Sequence, residues 1–153
     1  MTMANPTHHI RVEADPVQYE RMFDRESGLP RWPLLLDRTT IALARAHRVN
    51  RVVAVFVLDD PHTFDGELPD FRELGQRLVA RIRPDDTVAR VARRTLVVVC
   101  NDIRRDQDAA LVAQRLLQSS GVIAHLGVSL GVPGDIPDSL LARALDQAAM
   151  PLG

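Results

Sequence analysis

The chain has 153 residues, about the length of one domain, and 46% of them are apolar, which is enough to form a buried core. With 19 basic and 20 acidic residues the net charge is −1, so no overall field favours nucleic acid or an anionic membrane as a partner. One cysteine, Cys100, excludes a disulfide scaffold and a cysteine-based metal site. The sequence has neither an apolar run of ~20 residues nor a signal-peptide core, which favours a soluble, cytoplasmic protein.

The first third of the chain is predicted to be helical after a tail. Residues 1–15 lack periodicity, and residues 16–23 are expected to form a short helix. Residues 24–30 form a predicted turn, in which Gly28 allows positive φ and Pro30 suits the start of a helix that runs to about Arg48. The apolar residues expected to face the core from this helix are Leu34, Leu35, Ile41, Leu43 and Ala44.

Residues 52–58 form a continuous apolar run that ends in Asp59 and Asp60. Because such a strand has no polar face, we expect it in the centre of a sheet, covered on both sides. Asp60 then lies at the carboxyl end of this strand, where open α/β sheets place their chemistry.

The remaining pattern predicts an alternation of helices and strands. Helices are expected at residues 68–82, 107–119 and 137–150, and a strand at residues 122–132. Between Asp86 and Cys100, two β-branched runs are joined through a basic turn at Arg93 and Arg94. The order predicts a ferredoxin-like α+β sandwich, with residues 1–23 as a tail and short helix and residues 24–153 as the domain.

Several short patterns occur in a fixed order along this domain: Asp24-Arg-Glu-Ser-Gly-Leu-Pro-Arg31, the strand that ends at Asp60, Arg83-x-x-Asp86-x-Val-Ala-Arg90, and Ser129-Leu-Gly131. Together they resemble the GGDEF diguanylate cyclase domains of bacteria over about residues 24–150. The last helix is cut short before the lysine that the family usually places there. The resemblance implies a nucleotide-cyclase fold with a mostly antiparallel sheet flanked by helices, and a place in cyclic di-GMP signalling.

The resemblance also identifies positions at which the active site is degenerate. GGDEF cyclases join two GTP molecules with Mg²⁺ held by carboxylates. The first metal carboxylate corresponds to Asp60. The following acidic position corresponds to His62, and a phosphate-binding lysine corresponds to Asp65. The signature pentapeptide falls on Ala92, Arg93, Arg94, Thr95 and Leu96.

Arg94 therefore occupies the position of the second metal carboxylate, and a guanidinium repels Mg²⁺. Arg93 replaces a glycine that lets the backbone approach phosphate, and the substrate loop that reads guanine is absent between Phe64 and Phe71. The prediction is a catalytically inactive pseudoenzyme that needs no cofactor and binds no Mg²⁺. A salt bridge from Asp60 to Arg94 or Arg93 is expected in place of the metal.

One ligand site of the family has a counterpart in the sequence. The resemblance places the product-binding R-x-x-D motif at Arg83 and Asp86, with Arg90 as a further cation nearby, and cyclic di-GMP is the ligand that it implies. The alternative is structural: Pro84 ends a helix, Asp86 closes a polar turn, and Arg83 faces the carbonyls at the end of the helix.

Two other classes of function stay open. A nucleotide-independent module would bind an unidentified protein or form a homodimer through a surface at Tyr19, Met22 and Phe23 or at Trp32 and Pro33. An unrelated enzyme is the weaker alternative, because His47, His62 and His125 fall on separate elements without a serine or cysteine motif.

Overall fold

The computed structural model describes residues 16–59, 70–120 and 125–149. Its helices are α1 (Pro16–Met22), α2 (Trp32–Val49), α3 (Phe71–Val79), α4 (Asp106–Ser120) and α5 (Pro137–Ala149). Its strands are β1 (Val52–Asp59), β2 (Thr87–Ala92), β3 (Thr95–Ile103) and β4 (His125–Gly131). None of these helices is long and apolar enough to cross a membrane. The predicted sequence of elements is confirmed over these residues.

The four strands form one sheet in the order β2-β3-β1-β4, with antiparallel neighbours throughout. This is the predicted ferredoxin-like α+β arrangement. β1 lies in the interior of the sheet, and residues 53–58 are buried, as its apolar run requires. Since successive side chains of a strand point to opposite faces, Val55 faces the layer of α2 and α5, whereas Phe56 faces α3 and α4.

Two details of the predicted α2 helix are wrong. Ile41 and Ala44 were expected in the core, but Ile41 is 57% exposed and Ala44 is exposed. At 100° per residue the two side chains point away from the stripe that Leu35 and Ala46 bury against the sheet. The helix begins at Trp32 instead of Pro30, because Pro30 forms a bridge with Phe23 in the preceding turn.

β4 and α5 pack with almost no space between them. A Cβ atom on Gly127 would lie 2.0 Å from the carbonyl oxygen of Ala144, and one on Gly131 would lie 2.6 Å from a methyl group of Leu140. Ser129 is buried between these glycines, and its hydroxyl donates to the carbonyl of Leu140 at 2.8 Å. The Ser129-x-Gly131 motif thus holds α5 against the sheet.

Cys100 is buried in the core beneath α3 and α4. Burial, together with the nearby negative charge of Asp86, raises the pKa of its thiol above the ordinary value. The thiol therefore behaves as a small apolar group in the folded protein.

Candidate functional site

The β2–β3 hairpin closes through a two-residue turn. Ala92 pairs with Thr95, which leaves Arg93 and Arg94 at the turn itself and Leu96 buried in the next position. The Thr95 hydroxyl donates to Asp59 Oδ1 at 2.8 Å. The predicted positions Asp60, His62 and Asp65 lie outside the described residues. The salt bridge from Asp60 to Arg93 or Arg94 therefore stays a prediction.

Arg90 links the hairpin to the loop of residues 24–31, here called the Asp24 turn. Its guanidinium donates to Asp24 Oδ2 at 3.0 Å, to Glu26 Oε1, and to the carbonyl of Arg93 at 2.6 Å. The side chain of Arg90 is only 7% exposed. Expected as a further cation beside a bound ligand, Arg90 instead has its guanidinium bonded inside the fold.

The Asp24 carboxylate organises its own turn as well. Its Oδ2 accepts from the amide and the hydroxyl of Ser27 at 2.9 and 2.7 Å. Burial alone would raise the pKa of Asp24, but the hydrogen bonds from Ser27 and Arg90 outweigh it and hold this pKa below its ordinary value. The amide of Arg90 donates to the carbonyl of Pro30 at 2.9 Å, so the Asp24 turn also covers the outer edge of β2.

Asp86 holds the turn between α3 and β2. Its Oδ2 accepts from the amide of Arg83 at 3.0 Å, and its Oδ1 accepts from the amide of Asn101 on β3 at 2.8 Å. Asn101 in turn donates its side-chain amide to the carbonyl of Asp85 at 2.8 Å. Burial raises the pKa of Asp86 above the ordinary value, although the two amides oppose this rise. The carboxylate is therefore fixed in position.

Arg83 has a more open environment. Its side chain is 63% exposed, and its guanidinium lies 3.5 Å from Asp102 Oδ2. The partner of Arg83 is thus a carboxylate on β3. The alternative in which Arg83 has a purely structural role predicted the last carbonyls of α3 as its partners. Asp102 has a left-handed backbone with φ +60° at an irregularity in the β1–β3 pairing, and it also accepts from Arg51 Nε at 3.0 Å.

Cavities of about 260 and 310 Å³ lie side by side between α2 and the Arg83–Asp86 turn. Arg38 and Arg45 of α2 line the first, and Arg45 also lines the second. Arg45 donates to Asp85 Oδ2 at 2.9 Å. The half-buried Asp86 thus shares the first cavity with Arg38 and Arg45, whereas Arg83 lines neither cavity and lies against Asp102.

Several solved structures that resemble this chain are GGDEF domains. One is the diguanylate cyclase SiaD from Pseudomonas aeruginosa in complex with its activator SiaC, with 20% identity, a TM-score of 0.70, and 94% of this chain matched to 62% of that chain. Another is the coiled coil and GGDEF domain of DgcB from Caulobacter crescentus in complex with c-di-GMP, with 15% identity, a TM-score of 0.72 and coverage of 94% and 86%. The protein has the GGDEF fold.

The FimX GGDEF domain from Pseudomonas aeruginosa also matches, with 16% identity, a TM-score of 0.65, and coverage of 83% of this chain and 91% of that chain. No protein-family model matches the sequence, and no curated protein matches it. At these identities the likeness is one of fold.

Within this GGDEF fold, the site contains residues that the sequence analysis did not single out. Arg38 and Arg45 are i, i+7 neighbours on one face of α2, a pattern that can be read from the sequence. Asp102 has no such signal, because its position beside Arg83 depends on how β3 pairs with β1.

Proposed function

We propose that this domain does not make cyclic di-GMP and instead acts as a regulatory module that binds cyclic di-GMP at Arg83 and Asp86. The observation that carries the proposal is a turn that has an exposed guanidinium at one end, on Arg83, and at the other end the Asp86 carboxylate, which two backbone amides hold in place. A ligand with both phosphate and guanine groups uses both kinds of side chain.

The hairpin supports the loss of cyclase activity. Mg²⁺ takes oxygen ligands in near-octahedral geometry. The two turn residues, Arg93 and Arg94, present guanidinium groups, which stay protonated and repel a divalent cation. The donor set at this turn therefore does not fit the metal on which the joining of two GTP molecules depends.

The Arg83–Asp86 turn has the chemistry for a guanine dinucleotide. The Asp86 oxygens accept backbone bonds from Arg83 and Asn101, and an ionised carboxylate has about four acceptor positions in all, so it can also accept from a guanine N–H group. The Arg83 guanidinium can bind a phosphate through two hydrogen bonds or stack on a base. Arg45 on the facing helix adds a second exposed guanidinium.

Two solved neighbours support this choice of ligand. The DgcB structure contains c-di-GMP, and another neighbour is described as a novel interaction mode between a microbial GGDEF domain and this molecule. Both have the same fold as this chain.

Titration calorimetry with cyclic di-GMP tests the binding proposal. We expect Arg83→Ala to weaken binding by at least about tenfold, which corresponds to the loss of one charge-assisted contact of about 1.4 kcal/mol. The matched control is Arg115→Ala, an exposed arginine on α4 in the opposite helix layer. Equal loss in both variants, or no binding by the native chain, would rule out this site.

Incubation with GTP and either Mg²⁺ or Mn²⁺ tests inactivity separately. We expect chromatography to detect no cyclic di-GMP. Formation of product above that of a heat-treated sample would refute this half of the proposal and leave the binding half in place.

A second candidate function is a nucleotide-independent protein-interaction module. A groove of about 690 Å³ runs between α1, the start of α2 and β2, and Met22, Trp32 and Val91 contribute to its lining. Val17 on its rim is 66% exposed, and Tyr19 stacks on Phe23 with ring centroids 5.0 Å apart. Recovery of one specific protein by the native chain without nucleotide, but not by Val17→Asp, would favour this function.

A further inference from the structure

β4 is an edge of the described sheet, and its sequence offers little protection against pairing. It pairs with β1 from His125 to Gly131 without a register shift, and it contains no proline and no Asp, Glu, Lys or Arg. Exposed edges normally carry such residues or bulges, because an unprotected edge can bind another strand. The opposite edge, β2, is already covered by the bond from Arg90 to the carbonyl of Pro30.

The outward backbone groups of β4 belong to alternate residues. The amide of Val128 donates to the side-chain carbonyl of Gln147, and the carbonyl of Leu130 accepts from the Arg143 guanidinium at 3.4 Å. Neighbouring residues of an antiparallel strand direct their N–H and C=O groups to opposite sides. The backbone groups of Leu126, two residues before Val128, therefore also point away from β1. Two side chains of α5 thus occupy positions that a partner strand would take.

These two side chains reach the edge because α5 lies so close to β4. Gly127, Ser129 and Gly131 leave no room for larger side chains beneath the helix, and two side chains of α5 reach the outward backbone groups of β4. Arg143 and Gln147 are both exposed, and the Arg143 guanidinium also donates to Asp135 Oδ2 at 3.2 Å. Exposed side-chain contacts of this kind contribute little stability, so both side chains can be displaced.

We propose that the β4 edge binds a second copy of this chain through antiparallel β4–β4 pairing about a two-fold axis at Val128. In this register Leu126 faces Leu130 of the second copy, and Val128 faces its own equivalent. Each of the three facing pairs exchanges two backbone bonds, about six in total. No like charges meet, because β4 carries no acidic or basic side chain other than His125.

The face of β4 that carries these residues favours the second copy as the occupant. Leu126, Val128 and Leu130 are partly buried against the core beneath α3 and α4. Pairing places the same three apolar side chains of the second copy beside them, so that the two sheets share a continuous apolar face. The strand is therefore complementary to itself. The surface is separate from the Arg83 site, and the inference does not depend on cyclic di-GMP.

Sedimentation equilibrium of the full chain tests the pairing. The double variant Arg143→Ala/Gln147→Ala frees the edge, and we expect its dimer dissociation constant to be about tenfold lower than that of the native chain. Adding Val128→Pro should restore a monomer, because proline removes an outward N–H group without removing a bond to β1. The matched control is Val128→Thr, which keeps the amide. A monomeric double variant, or a dimer that survives Val128→Pro, would overturn the proposal.

Hydrogen exchange provides a second measurement should Val128→Pro fail to fold. In the native chain, the amide of Leu130 should exchange more slowly as the protein concentration rises, whereas the amide of Phe56 on β1 should not change. A concentration-independent rate at Leu130 up to about 1 mM would contradict β4–β4 pairing.

Discussion

Arg83 lies before β2 and Arg90 lies within it. Each guanidinium is close to a carboxylate, but the two side chains differ in how far they are exposed to solvent. Arg90 is 7% exposed and has three described acceptors, on Asp24, Glu26 and Arg93. Arg83 is 63% exposed, and its ion-pair distance is 3.5 Å. A buried guanidinium needs acceptors for its charge to be tolerated, whereas an exposed one exchanges water for a ligand at low cost. Burial therefore distinguishes an arginine that holds the fold from one that is available for binding.

Replacement of each arginine gives the largest expected difference. Arg90→Ala leaves Asp24 without its cation and removes the link to the hairpin, so we expect a loss of about 2–3 kcal/mol in the free energy of unfolding. Arg83→Ala should cost at most about 0.5 kcal/mol, because its ion pair is exposed. Urea denaturation of the two variants measures both values.

The conservative variant Arg90→Lys sharpens this test. An ammonium group cannot reach the acceptors in the fixed geometry of a guanidinium, so most of the stability should stay lost. If Arg90→Ala and Arg83→Ala were equally stable, the contrast between the two arginines would be wrong.

The carboxylates of the two regions should respond to pH in opposite directions. The pKa of Asp24 is lowered, so its contribution to stability is fully present above the ordinary value of 3.8 and is lost as the pH falls through the lowered pKa. The pKa of Asp86 is raised, so stability is instead lost as the pH rises from 3.8 through the raised pKa. Carboxyl ¹³C resonances followed from pH 7 downward should show Asp86 protonating first. The reverse order would contradict the burial described for Asp86 and the hydrogen bonds described for Asp24.

The same titration bears on ligand binding. If cyclic di-GMP binds at Asp86, the carboxylate accepts from guanine only when it is ionised, so acidification through its raised pKa should weaken binding. Calorimetry at two pH values checks this consequence.

The smallest expected effect concerns Asp102, whose carboxylate lies 3.5 Å from the Arg83 guanidinium. Asp102→Asn removes the charge but keeps a residue that tolerates positive φ. If cyclic di-GMP binds at Arg83, we expect its affinity to rise about threefold, the size of an exposed ion pair of about 0.65 kcal/mol. Asp146→Asn, on the exposed face of α5, is the control for the same change in net charge. Unchanged affinity in Asp102→Asn would show that its bond to Arg83 does not compete with the ligand.

The elements were predictable because their apolar periodicity is local. The run at residues 52–58 required a central strand, and the basic turn placed Arg93 and Arg94 between two strands, as found. Which face of α2 is buried was harder to predict, because Ile41 is as apolar as the buried residues. It is exposed because the opposite face of the helix packs on the sheet.

The candidate site was predictable only in part, because its contacts are long-range. The Arg83–Asp86 turn is a local motif, and its two residues do lie together. The bond from Arg90 to Asp24 joins residues 66 positions apart, and neither residue type indicates the other. Asp102 reaches Arg83 through the strand pairing, which no residue in its neighbourhood signals.

The buried thiol of Cys100 makes it possible to measure how often the folded protein opens. Because the chain has one cysteine, a thiol-specific reagent can modify only this residue. Folded protein shields it within β3, and its raised pKa keeps it protonated, so modification has to wait for the sheet to separate. The labelling rate then reports how often the native sheet opens, without an added probe, and a ligand that stabilises the folded state will slow it.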